Sequence, residues 1–282
     1  MMKKNLLLIL MCFVCGLVYA HDGLNFRNLD VKSGISDNYV RSVLRDQYGF
    51  MWFATLNGLN RYDGYQFKKY TTTQLGAYNN DIESIAEDAA GNIWIKGPVS
   101  YYIYDREQDK LENKIQPVLN KYGITGEVSY LTVDKDYNLW CTVMDTLFHY
   151  DFAKSKLHTF QLPGKEKMQQ VVCRRSCAYL LFSNGEIARI DSNFQHIRPE
   201  TRRTISSGLQ YNLYIDTVDR LWFYASHASG LQCYDTNQKQ WIDYVGRQEV
   251  TDALITAVMD DGDGNLWIGT DDKGVYISYL SI

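Results

Sequence analysis

Short apolar runs alternate with clusters of Asp, Gly and Asn at a regular interval along this chain. A run such as Ser84-Ile-Ala-Glu87 or Ile255-Thr-Ala-Val-Met259 leads into a polar cluster, and then into an alternating segment centred on a tryptophan. The cluster has the chemistry of a hairpin turn, because Gly and Asn accept positive φ and Asp bonds nearby amides. A Gly-containing turn follows, then a third run ending in Tyr-Asp, then a more polar fourth run such as Gln66-Phe-Lys-Lys-Tyr70. Outside the N-terminus no window carries helical periodicity. The pattern predicts four short antiparallel strands per unit.

The tryptophans count the units. Trp52, Trp94, Trp140, Trp222 and Trp267 are separated by 42, 46, 82 and 45 residues, and the gap of 82 is two units of 41. A period of this size signals radial or solenoidal repetition. The recurring phrase holds Asp46, Gly49 and Trp52 in the first unit and Asp88, Gly91 and Trp94 in the second. It holds Asp134 and Trp140 in the third, Asp216 and Trp222 in the fifth, and Asp261, Gly264 and Trp267 in the sixth. The fourth unit has lost its Trp, and its slot is read at Leu181, between Tyr179 and Asp191. The expected fold is all-β: a β-propeller of four-stranded antiparallel blades with six repeats visible. These residues read as scaffold, since a residue present in every blade serves every blade. Gly supplies the turn backbone, Asp bonds the turn amides, and Trp buries a large area between neighbouring blades.

Composition narrows the reading. The chain has 282 residues, 22 of them Tyr and only 4 Pro, which suits one large sheet-rich domain without linkers. The net charge of -4 with scattered basic residues leaves no footprint for nucleic acid. Lys3-Lys4, the apolar stretch Leu6 to Val18 and the small-residue site Val18-Tyr19-Ala20 form a cleavable secretory signal. Residues 1–20 are therefore assigned as signal peptide and 21–282 as a single propeller domain, incomplete at its C-terminus. Export permits disulfides, and Cys173 and Cys177 flank a turn across which they could pair; small buried hydrophobes are the preferred reading of the cysteines.

Candidate chemistry is sparse. Asp134-Lys-Asp136-Tyr-Asn138 and Asp261-Gly-Asp263-Gly-Asn265 open like calcium loops but lack the Gly at the sixth position and the Glu at the twelfth. No metal or cofactor is expected. There is no nucleophile elbow, zinc-protease helix motif or phosphate loop, and His21, His149, His158, His196 and His227 do not cluster in sequence. No catalytic residue is assigned. Non-repeating aromatics that could stack on a sugar are Tyr78, Tyr101, Tyr122, Tyr224 and Trp241, none of them promoted to a site.

Ile35-Ser-Asp-Asn-Tyr-Val-Arg-Ser-Val43, followed by Asp46 through Asp63, resembles the opening blade of the periplasmic sensor region of hybrid two-component regulators from polysaccharide-degrading gut anaerobes. The resemblance is close in the first and sixth units and poor in the fourth. It implies a seven-bladed ring, a periplasmic location and a carbohydrate-derived ligand, with the oligosaccharide bound without catalysis. It implies as partners a second propeller, the remaining domains of a membrane-anchored histidine kinase, and a homodimer of the full sensor. The kinase, receiver and DNA-binding parts have no counterpart in this sequence, so the chain is read as the N-terminal piece of such a sensor. The alternatives are an exported propeller glycosidase or polysaccharide lyase, and a scaffold-only remnant. The segment from Leu24 to Val31 aligns with the fourth strand of the first unit. It is expected either to complete the sixth blade or to leave an open arc with a gap, the open arc being preferred.

Overall fold

The computed structural model describes residues 29–164, 166–174, 177–242, 252–260, 265–270 and 275–279. Six antiparallel sheets follow one another in chain order, five with four strands and the sixth with three among the described residues. The first strand of each sheet lies innermost: Val40–Arg45, Ser84–Glu87, Val128–Val133, Met168–Arg174, Tyr211–Ile215 and Ile255–Asp260. This is a propeller of six blades. One element departs from the sequence reading: a short helix, Gln116–Lys121, lies in the connection between blades 2 and 3, with Pro in its first turn. Six residues are too few for periodicity to register.

Five apolar clusters fill the five junctions between successive blades. In four of them, a cross-strand row carrying the Trp faces the following blade. The rows are Leu44–Trp52–Arg61, Ala86–Trp94–Ile103, Thr132–Trp140–His149 and Tyr214–Trp222–Cys233. Trp52, Trp140 and Trp222 are wholly buried and Trp94 nearly so.

Register corrects the fourth blade. In the other blades the Trp pairs with the residue just before the Tyr-Asp of the third strand. In blade 4 the residue before Ile190-Asp191 is Arg189, which pairs with Tyr179, and Tyr179 pairs in turn with Val172. The Trp slot is thus Tyr179 and not Leu181, and the Asp slot is Arg174. The cause is a tighter hairpin: Arg174 pairs directly with Cys177. Register also separates the two cysteines. Cys173 packs toward blade 3 and Cys177 toward blade 5, on opposite faces of one sheet, so they cannot bond to each other.

The channel-side edge of each inner strand would present unpaired amides. Side chains of the preceding blade accept from them. Tyr101 accepts from Leu131 N at 2.9 Å, Tyr130 from Val171 N at 3.1 Å, and Gln170 from Leu213 N at 2.7 Å. Ser42 serves Ile85 and Tyr224 serves Val258 in the same way.

The sixth blade is treated differently, which corrects the buried role expected of Trp267. Its row, Met259–Trp267–Ile277, is 55%, 37% and 49% exposed. On the facing side of blade 1, Val43 is also exposed. No apolar cluster joins blade 6 to blade 1 among the described residues. Of the segment expected to provide an extra outer strand, residues 24–28 lie outside the described residues. The part that follows forms a 3-10 turn, Val31–Ser33, capped by Asp30. Asp261, Gly264 and the signal peptide likewise lie outside the described residues.

The junction of blades 3 and 4 contains a titratable group. The His149 ring stacks 4.0 Å from Trp140 and 4.7 Å from Phe194, and neither ring nitrogen has a hydrogen-bond partner. Burial, with help from His158, pushes its pKa down to about 4. The unfolded value is about 6.5, so the unfolded chain binds more protons between these values. His149 therefore contributes stability that is present above about pH 6.5 and lost as pH falls through 4. Unfolding by urea at pH 7 and pH 4 is expected to reveal a loss on the order of 3 kcal/mol from this group. His149→Phe should flatten that component; an unchanged pH dependence in the variant would refute the assignment.

Candidate functional site

The repeated Asp does more than cap a turn. In blade 5, Asp216 Oδ1 accepts the amides of Val218 and Arg220, while Oδ2 accepts the Trp222 indole N–H at 2.8 Å. The same triple arrangement recurs with Asp46 and Trp52, Asp88 and Trp94, and Asp134 and Trp140. A six-residue spacing brings the carboxylate, on the inner strand's exit, beside the indole on the returning strand. Sequence reading missed this bond, although the constant spacing in five units was its signal. Both Asp134 oxygens thus accept protein donors.

These turns gather at one mouth of the central channel. Between blades 1, 2 and 3 they enclose a cleft of about 670 Å³, lined by Arg45, Asp46, Gln47, Tyr48, Gly49, Glu87, Asp88, Ala89 and Tyr137. Its floor is carboxylate-rich and fully engaged. Arg106 donates to Asp46 Oδ2 at 3.0 Å, to Glu87 Oε1 at 2.9 Å and to the Gly91 carbonyl at 3.0 Å. The second Glu87 oxygen accepts the Gln47 amide. Burial pushes the carboxyl of Glu87 up against the pull of Gln47 and Arg106, and that of Asp88 up against the pull of Asn92 and Trp94.

The walls are aromatic. Tyr48 and Tyr137 are 65% and 57% exposed, and the Arg106 guanidinium lies 4.4 Å from the Tyr48 ring centre, fixing it from below. The Tyr137 carbonyl accepts the Ala89 amide, which ties the turns of blades 2 and 3 together. Tyr137 has φ 62° at the turn position where blades 1 and 2 place Gly49 and Gly91. A left-handed backbone costs a side chain of this size about 1 kcal/mol or more, and such outliers concentrate at working sites.

The other side of the mouth is closed by a polar bridge. Tyr214 donates to Asp260 Oδ2 at 2.5 Å and accepts the Asp260 amide at 2.8 Å. Lys135 donates to the same hydroxyl at 3.1 Å, and Arg174 stands 3.7 Å from the Asp260 carboxylate. Burial lowers the Lys135 ammonium pKa and raises that of the Tyr214 phenol. The bridge joins blades 3, 4, 5 and 6, and Lys135 shares its turn with Tyr137.

The aromatics singled out in the sequence do not meet here. Tyr101 and Tyr224 are the amide acceptors described above, and Tyr122 bonds Asn92 while packing on Tyr150 and Phe152. Trp241 bonds Thr201 and lies under Arg203; Tyr78 is fully exposed. Tyr48 and Tyr137 were passed over because they stand inside the recurring phrase.

The model of the two component regulator propeller family matches residues 34–57 and 250–272. No curated protein matches the sequence. Among solved structures, the extracellular domain of a putative hybrid two component system from B. thetaiotaomicron is similar with a TM-score of 0.63 and 22% identity. That likeness covers 90% of this chain but only 35% of the longer domain. Virginiamycin B lyase from Staphylococcus aureus is similar with a TM-score of 0.60 and 16% identity, covering 86% of this chain and 80% of the lyase. At these identities the likenesses speak for the propeller fold and not for either activity. Fold and motif agree: the chain is a β-propeller that carries the two-component regulator propeller repeat, matched in its first and sixth blades.

Proposed function

We propose that this chain is the extracytoplasmic ligand-sensing propeller of a hybrid two-component sensor, and that it recognises a carbohydrate-derived ligand in the cleft between blades 1 and 3. The observation that carries the reading is the pair of exposed tyrosines, Tyr48 and Tyr137, set above a floor of engaged polar groups. Flat phenol faces suit the C–H faces of sugar rings, and a prebuilt polar floor fixes orientation without reorganisation. Binding is favoured over hydrolysis because Asp46, Glu87 and Asp88 are each held by several donors, leaving none poised as a free general acid or base. The periplasm is the proposed location. The remaining kinase-bearing domains, a second propeller and another copy of the full sensor are the proposed partners.

Calorimetric titration of the purified chain with a panel of plant and host oligosaccharides tests this. At least one glycan should bind, and Tyr137→Gly should weaken it about ten-fold. Glycine suits the left-handed backbone, so this variant keeps the turn while removing the ring. No binding by any glycan, or equal binding by the variant, would overturn the proposal.

A further inference from the structure

Among the described residues, the apolar cluster of blade 6 is shared with blade 5 alone. On its other face, Met259, Trp267 and Ile277 are 55%, 37% and 49% exposed. Yet Asp260, at the end of its inner strand, receives groups from three other blades. Its carboxylate is 5% exposed and accepts the Tyr214 hydroxyl, with Arg174 at 3.7 Å and Lys135 at 4.0 Å. Two of these partners depart from the repeat. Arg174 occupies the slot that holds Asp in blades 1, 2, 3 and 5. Tyr214 occupies a row position that is Leu44, Ala86 or Thr132 in the first three blades.

We infer that the divergent fourth repeat and Tyr214 form a cross-channel clamp that holds blade 6 to blades 3, 4 and 5 through Asp260. An Asp in the Arg174 slot would bond its own turn amides, as Asp216 does, and would offer Asp260 no cation, so the departure of blade 4 from the repeat supplies the positive charge of the clamp. A hydrogen bond to a nearly buried carboxylate is of the stronger kind, and with the two flanking cations it can set the local opening equilibrium of a blade.

The clamp also closes the channel beside the cleft. Lys135 and Tyr137 belong to one turn, so whatever displaces that turn acts on both. This inference stands without the ligand reading.

Hydrogen exchange on the purified chain, resolved by blade, tests the clamp. Tyr214→Phe removes one hydroxyl and keeps the ring, and Asp260→Asn removes the charge and keeps the shape. Both should speed exchange in Ile255–Asp260 and Asn265–Thr270 about ten-fold or more, while blades 1 and 2 keep their rates. Lys135→Met should produce a smaller acceleration in the same strands, since its ammonium is half exposed. Unchanged exchange in blade 6 would overturn the inference. So would equal acceleration in all six blades, which is the signature of general destabilisation.

Discussion

Asp216→Ala is expected to remove about 3–5 kcal/mol of stability, seen as a lower urea midpoint with an unchanged slope. The carboxylate is wholly buried and receives the Val218 and Arg220 amides, the Trp222 indole and the Arg220 Nε. Alanine leaves all four donors without their acceptor, two of them on side chains that cannot reach water freely. The penalty for orphaned buried donors exceeds the net worth of the bonds themselves. Asp216→Asn should cost less, because one oxygen still accepts the turn amides while the new amide group confronts the indole N–H. A loss below about 1 kcal/mol for the alanine variant would mean that the turn is held by its backbone alone.

The second large effect is a contrast between two copies of one residue. Trp222→Ala should cost about 3–5 kcal/mol, since it empties the centre of a sealed junction between blades 5 and 6. Trp267→Ala should cost clearly less, because Trp267 is 37% exposed where Trp222 is wholly buried. The two substitutions are the same in chemistry and equivalent in register, so intrinsic strand preference cancels. Equal losses would show that the sixth blade's outer face is covered in solution.

Much of the scaffold was legible because the Trp period and the turn clusters are local signals. The blade count, the antiparallel order and the wedge role of Trp52, Trp94, Trp140 and Trp222 all follow from them. What escaped depends on contacts between units. The slot in blade 4 shifted from Leu181 to Tyr179 because the hairpin after Arg174 is shorter, and only strand pairing reveals a shortened hairpin. The exposure of Trp267 depends on what lies beside it and not on its own phrase. The cleft was hidden for a related reason. Tyr48 and Tyr137 sit in the least constrained positions of a structural motif, so a motif read as scaffold masked them. Tyr137 still carried a hint, since it replaces the glycine that the turn geometry favours.

The partly exposed row of blade 6 has a consequence for self-association. It is apolar, and it is a different surface from the exposed side of blade 1 around Val43. A contact between these two faces on separate copies is heterologous: each copy uses one patch to give and another to receive. Such a contact leaves a free patch at each end of the pair, so it propagates as an open-ended series instead of closing into a two-fold dimer. Association of this chain through its ends would therefore grow steadily with concentration and show no preferred size, whereas symmetric pairing would stop at two.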